Sequence, residues 1–156
     1  MYKILIRPLE EKDSEISWRW RNEEEVWKYT GSRPNISITP KIEREWIKKV
    51  LTDPFSKRFA ITVDNIYVGN VQITNITEID AEYHIFIGDK NYWGKGVAYS
   101  ATLQIIRYAK NVLQLESIYL FVNPNHQKAI ELYEKCGFTK VSDLVKMVLN
   151  IKKKKF

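Results

Sequence analysis

Residues 80–122 restrict the possible fold more than any other stretch of the chain. Asp80 to Ile87 alternates as a strand, and Gly94-Lys95-Gly96 then breaks the chain. Val97, Ala101, Ile105, Ala109 and Val112 follow at three- to four-residue spacing as one face of a long helix, and Ser117 to Val122 returns to strand character. A strand, a helix and a second strand in succession close as a right-handed crossover, which lays the two strands parallel. Just upstream, Arg58 to Val63 and Ile66 to Ile76 flank an Asp64-Asn65 turn and read as an antiparallel hairpin. A mixed sheet is therefore predicted.

The remaining segments fill in around it. Lys3 to Leu9 alternates, with Ile4 and Ile6 on one side, as a short first strand. Asp13 or Ser14 can cap a short helix carrying Ile16 and Trp20. Asn22 can cap another whose acidic first turn, Glu23-Glu24-Glu25, suits the helix dipole, with Gly31 ending it. Thr39 and Pro40 read as cap and first helical residue ahead of a stripe of Ile42, Trp46, Ile47, Val50 and Leu51, which Asp53-Pro54 stops. After Asn123-Pro124-Asn125, Gln127 to Cys136 forms a helix with Ile130, Tyr133 and Cys136 on one face, and Gly137 suits its C′ position. Phe138 to Ser142 and Lys146 to Lys153 are expected as a closing hairpin.

Length and composition limit the alternatives. A chain of 156 residues, 44% hydrophobic and 28% charged, suits a single domain, 1–156, and excludes a disordered or low-complexity chain. One Cys excludes an internal disulfide framework, and with only 2 His no metal site is expected; Cys136 reads as core. The longest uncharged stretch, 65–77, is too short and too polar to span a bilayer, and no signal peptide is readable, so a cytoplasmic protein without a membrane partner is expected. The formal charge is +6, but Lys152 to Lys155 carry much of it. That run reads first as a solvated terminal segment, so nucleic acid is not the expected partner.

The chemistry concentrates around the glycine pair. Between a strand and the first turn of a long helix, glycines let backbone amides approach an anion, and the helix N-terminus adds partial positive charge. Trp93, Gly94, Lys95, Gly96, Val97 and Ala98 therefore read as a phosphate cradle.

Three segments together, Asn-Tyr-Trp-Gly-Lys-Gly-Val-Ala at 91 to 98, Val-Asn-Pro-Asn at 122 to 125 and Leu-Tyr-Glu-Lys-Cys-Gly-Phe at 132 to 138, resemble the GNAT family of N-acetyltransferases. The resemblance covers nearly the whole chain. It implies an α/β (α+β) fold, a mostly antiparallel mixed sheet with a central splayed parallel pair and flanking helices. The cosubstrate would be acetyl-CoA, its diphosphate on the glycine loop and its pantetheine arm between Glu82–Ile87 and Ile118–Val122. Asn91 stands where the family commonly has Gln or Arg, a departure expected to affect affinity more than function.

Acetyl transfer to an amine needs a base, an oxyanion donor and an acid for the departing thiolate. The resemblance assigns the acid to Tyr133, which spacing alone reads equally as a core-facing residue, and places Asn125 on the cofactor, where a helix cap is the alternative. Strand alternation puts Glu82, His84 and Phe86 on one face and Ala81, Tyr83, Ile85 and Ile87 on the other. Glu82 is the preferred base and His84 the second choice, although either can simply face solvent. A backbone amide near Phe86 or Ile87 is expected to hold the oxyanion.

The acceptor is read from Trp18-Arg19-Trp20-Arg21-Asn22. Trp18, Arg19, Arg21 and Asn22 suit stacking and anion binding, and the bland alternative is a buried Trp with surface ion pairs to Glu23 to Glu25. The wording is similar to acetyltransferases of nucleotide-linked amino sugars and to ribosomal-protein N-terminal acetylases. A small-molecule amine, with a nucleotide-linked amino sugar in first place, is the expected acceptor. A protein α-amine, a polyamine or an antibiotic is the alternative, and a non-enzymatic CoA- or nucleic-acid-binding module the third reading. Dimerisation is common in the family, so a homodimer is expected from the resemblance alone.

Overall fold

The computed structural model describes residues 1–28, 34–141 and 146–152. Seven strands form one sheet in the order β1-β2-β3-β4-β5-β7-β6: β1 Ile4–Pro8, β2 Lys57–Val63, β3 Ile66–Thr74, β4 Asp80–Ile87, β5 Ser117–Phe121, β6 Thr139–Lys140 and β7 Lys146–Asn150. Every neighbouring pair is antiparallel except β4 and β5. The β2–β3 hairpin turns through Asp64 and Asn65, both at positive φ, the left-handed backbone that a two-residue hairpin turn demands.

The parallel pair follows from the crossover. Helix α4, Val97–Asn111, leaves the end of β4 and returns the chain to β5 through Leu115. Its buried stripe is Val97, Ala101, Ile105 and Ala109, joined by Thr102; the expected fifth member, Val112, is 63% exposed because the helix has ended. Helix α5, Gln127–Lys135, lies on the same side and stops at Gly137, whose φ of +103° supplies the left-handed turn. These helices and the sheet enclose the larger core, built from residues such as Ile61, Val68, Val71, Tyr83, Ile118 and Met147. Each fully buried aliphatic side chain there contributes about 1.5–3 kcal/mol.

The other side of the sheet carries α1, Ser14–Asn22, the short α2, Glu24–Trp27, and α3, Pro40–Val50. Its smaller core joins Leu9, Trp20, Val26, Ile47, Ala60 and Tyr67. Thr39 caps α3 as expected, accepting the Ile42 amide at 3.1 Å. The start of α1 differs from the expectation. A 3-10 turn, Glu11–Asp13, precedes it with a capping box at Glu10, and the Asp13 carboxylate takes a bidentate pair from Arg7 at 2.7 and 2.9 Å instead of capping. Ile16 is 47% exposed, and Ser17 is buried beside Trp20 in its place. Asn22 caps nothing, because Glu23 is the N-cap of α2 and the Asn22 amide bridges to the backbone of Ile38.

The closing hairpin is shorter than expected, with strands Thr139–Lys140 and Lys146–Asn150. β7 lies against β5, leaving the two-residue β6 at the edge, since β5 is the strand with an open ladder when the chain returns. Gly31 and Lys153 to Lys155 lie outside the described residues. Among those described, no helix is long and apolar enough to cross a membrane, and no group of three metal-ligating side chains converges.

Candidate functional site

The parallel pair is paired for only three residues. Asp80, Ala81 and Glu82 match Ser117, Ile118 and Tyr119, and then β4 runs on to Ile87 against β3 alone while β5 runs on against β7. A slot opens in the sheet beyond Glu82. Amides alternate along a strand, and the Gly88 amide donates to Val68 of β3 at 2.8 Å. The Phe86 amide therefore also faces β3, and it is the Ile85 and Ile87 amides that aim at the slot. Of the two expected oxyanion donors, Ile87 fits the geometry and Phe86 does not. The Phe86 side chain instead packs edge-on to Trp20 at 6.1 Å.

The glycine loop stands at the outer end of the slot. Gly94 and Gly96 adopt φ of +72° and +77°, and a Cβ at either would meet nothing within 4 Å. The backbone there is bent left-handed and bare, and the first amides of α4 have neither an intrahelical acceptor nor a side-chain cap. Val97 is buried and Ala98 half-buried in that first turn. The exposed Trp93 donates its indole N–H to the Ile87 carbonyl at 2.8 Å, fastening the loop to the end of β4. Lys95 places its ammonium 5.9 Å from both the Tyr2 and Tyr92 rings. Asn91 spends its amide on the Asp89 carboxylate at 3.0 Å, a local turn that leaves its side chain outward. Bare amides at a helix start are the donors that a diphosphate takes.

At the inner end, the first unpaired β4 residue, Tyr83, is fully buried on the α4 side. Its hydroxyl shares a 2.6 Å hydrogen bond with Thr102, which donates to the Ala98 carbonyl at 2.6 Å, so β4 is tied to the first turn of α4. Tyr133 of α5 meets the Tyr83 ring edge-on, with centroids 6.1 Å apart. Burial first, and Cys136 second, push the Tyr133 phenol up to about 12, so it stays protonated across the physiological range. No hydrogen bond ties its hydroxyl among the described residues. Cys136 packs at the edge of the same core, and burial raises its thiol, as a core cysteine behaves. Asn125 is exposed at the start of α5 and is not its cap, since His126 holds the N-cap position.

Glu82 and His84 sit on the opposite face. The Glu82 carboxylate is 2.7 Å from His84 Nε2, and Thr74 Oγ1 lies 3.3 Å from the same nitrogen. Burial lowers the imidazole's pKa and the Arg58 guanidinium lowers it further, against the opposing pull of Glu82. His84 is thus neutral near pH 7. Acid and base candidates stand on opposite faces of one sheet, with the slot between them.

The acceptor residues expected on α1 are mostly committed elsewhere. Arg21 pairs with Glu43 at 2.7 Å and lies 4.9 Å over Trp46, while the Asn22 amide is spent on the Trp18 and Ile38 backbone. Trp18 donates its indole N–H to Glu15, and Arg19 lies over the Trp18 ring at 5.5 Å. The buried tryptophan of the segment is Trp20, seated on Gly88, where a Cβ would fall 2.0 Å from its ring. Lys90, not an arginine of α1, pairs with Glu23 and Glu25.

Sequence reading missed Glu43, which is 1% exposed and also accepts from Ser17 at 2.8 Å. The available signal was its position on the α3 stripe, four residues before Ile47. It also passed over Arg58, whose guanidinium lies over the Trp46 ring at 5.4 Å and whose Nε is buried without a partner among the described residues.

Comparison with known proteins follows the same lines. A family model described as an acetyltransferase (GNAT) domain matches residues 3–139. Spermidine N(1)-acetyltransferase of Escherichia coli K12 is 29% identical over 146 residues, 92% of this chain and 77% of that protein; its Vibrio cholerae counterpart is 30% identical over 92% and 83%. Acetyltransferase PseH of Campylobacter jejuni is 24% identical over 84% of this chain and 80% of its own. The crystal structure of spermidine N-acetyltransferase from Vibrio cholerae in complex with CoA and spermine superposes with a TM-score of 0.79, at 25% identity, covering 93% of this chain and 91% of that one.

Proposed function

The chain belongs to the GNAT family of N-acetyltransferases and uses acetyl-CoA as cosubstrate, and we propose that its acceptor is the primary amine of a small aliphatic polyamine. The observation that carries this reading is the Glu82–His84 pair at 2.7 Å on the open face, beside the point where β4 and β5 part. Relatives named for spermidine, at 29–30% identity over 92% of the chain, support the acceptor class.

In this reading the bare amides of residues 94–98 hold the diphosphate and Lys95 adds charge beside it. Asn125 and the β4 edge at Ile85 and Ile87 line the path of the pantetheine arm. Acetyl-CoA supplies an acyl group activated as a thioester. The Glu82 carboxylate takes the amine's proton on the open face, directly or through water, and His84, neutral and hydrogen-bonded to it, orients that carboxylate. The Ile87 amide donates to the carbonyl oxygen as negative charge develops there. From the opposite face the Tyr133 hydroxyl gives its proton to the departing sulfur, a role suited to a phenol that is never ionised beforehand.

A second reading rests on a separate feature. Arg58 lies over Trp46 on the acceptor side with its Nε unpartnered among the described residues, and a guanidinium there favours an acceptor that carries negative charge, such as a nucleotide-linked amino sugar. Trp18 and Arg19 would extend that surface. Free-thiol release from acetyl-CoA, measured against spermidine, spermine, nucleotide amino sugars, aminoglycosides and peptide N-termini, separates the two. Highest kcat/KM with spermidine or spermine is expected. Turnover confined to nucleotide amino sugars would replace the first reading with the second.

A further inference from the structure

Building on the polyamine reading above, we infer that Tyr119 and Phe121 of β5 form the aromatic floor on which the acceptor's alkylammonium chain lies beside Glu82. Tyr119 is the register partner of Glu82 in the last pair before the slot opens, so both side chains rise from the same face. Two residues on, Phe121 stands on that face with its ring edge-on to Tyr119, centroids 6.0 Å apart and planes at 80°. The alternate residues of β5, Ile118 and Leu120, are buried in the larger core and hold the strand rigid. Phe121 nevertheless remains 56% exposed and Tyr119 half-exposed, apolar area offered to solvent next to the proposed base.

The charges around the floor fit an ammonium. The Lys146 ammonium lies 4.8 Å from the Tyr119 centroid, so the ring already accepts a primary alkylammonium of the chain's own. Burial first, and then the Glu82 and Asp80 carboxylates, raise the Tyr119 phenol above its ordinary range, which places both anions around the same ring. The groups facing Tyr119 are thus Lys146 from β7 and Asp80 and Glu82 from β4, one cation against two carboxylates. An arriving polyamine takes the ring from Lys146, lays its methylenes along Phe121 and leaves its terminal amine at Glu82. With two carboxylates against one ammonium, the floor favours aliphatic cations over a phosphate-bearing acceptor.

The test uses the full chain with four substitutions and three readouts: steady-state kinetics, calorimetric binding of spermidine to the CoA-saturated protein, and sedimentation. Tyr119→Leu keeps the apolar volume and removes the π face, and should raise KM and Kd for spermidine by roughly three- to tenfold while leaving KM for acetyl-CoA unchanged. Phe121→Leu should act in the same direction, Tyr119→Phe should keep wild-type values, and Lys146→Met, which frees the ring, should lower both constants. Unchanged spermidine KM and Kd in Tyr119→Leu would overturn the floor. Sedimentation showing that Tyr119→Leu dissociates an assembly present in the wild type would overturn it too, by assigning the face to a second copy. Binding that depends on Tyr119 without any thiol release would leave the floor standing and remove the polyamine as substrate.

Discussion

On the side of the sheet that carries α4 and α5, the packing is aliphatic and aromatic, and the functional surface is made of backbone: two glycines at positive φ and uncapped amides at the start of a 15-residue helix. On the side that carries α1 and α3, a small core is laced with buried polar groups. Glu43 ties Ser17 and Arg21 together, Arg7 holds Asp13, and Tyr67 is hydrogen-bonded to Asn70. In the function proposed above, the α4 side meets the diphosphate with main-chain donors, whereas the α1 and α3 side is shaped by side chains whose positions depend on each other.

The sharpest way to break that contrast is Glu43→Ala. It leaves the Arg21 guanidinium half-buried without its carboxylate and the Ser17 hydroxyl without its acceptor, and should cost about 3–5 kcal/mol in urea or thermal unfolding. A cost no larger than that of Glu45→Ala, an exposed neighbour on the same helix, would show that the network does not hold α1 to α3. Tyr133→Phe keeps the ring contact with Tyr83 and removes only the proton, so kcat should fall about 100-fold with little change in KM for acetyl-CoA. Unaltered kcat would return Tyr133 to the core.

Gly96→Ala tests the cofactor side. The open space admits a methyl group, but φ of +77° disfavours any L side chain by about 1–2 kcal/mol. KM for acetyl-CoA should rise several-fold while KM for the amine stays constant; the reverse pattern would mean the two sides are not separable. The smallest effect expected is on pH dependence. His84 loses affinity for protons through burial and through Arg58, so the acid-side loss of kcat that it governs lies below its ordinary value of about 6.5. Arg58→Met removes the repelling cation and should move that limb upward in pH, which a kcat–pH profile would detect.

Legibility in the sequence followed the same division. Asp80 to Ile87, the Asp64-Asn65 turn, Thr39 with Pro40, and Gly137 were readable because each is a local preference, an alternation or a backbone requirement within a few residues. The glycine loop was readable for the same reason. Asn22 and Asp13 were misread as helix caps because both are good capping residues, and their true partners, Ile38 and Arg7, are chosen by how α1 lies on the sheet. Glu43 looked like one more surface carboxylate on α3 until Ser17 and Arg21 arrived beside it.

By itself, then, the sequence determined the crossover, the glycine cradle and the alternation that puts Glu82 and His84 on one face of β4, because periodicity and backbone sterics act between residues close in the chain. Only the tertiary structure decided that β4 and β5 part after Glu82, that the Ile87 amide and not that of Phe86 faces the slot, and that Tyr119 lies beside Glu82. The β4–β5 facts are fixed by register between segments more than 30 residues apart and the amide orientation by the β3–β4 ladder, and register is set by the packing of whole layers, not by any one stretch of chain.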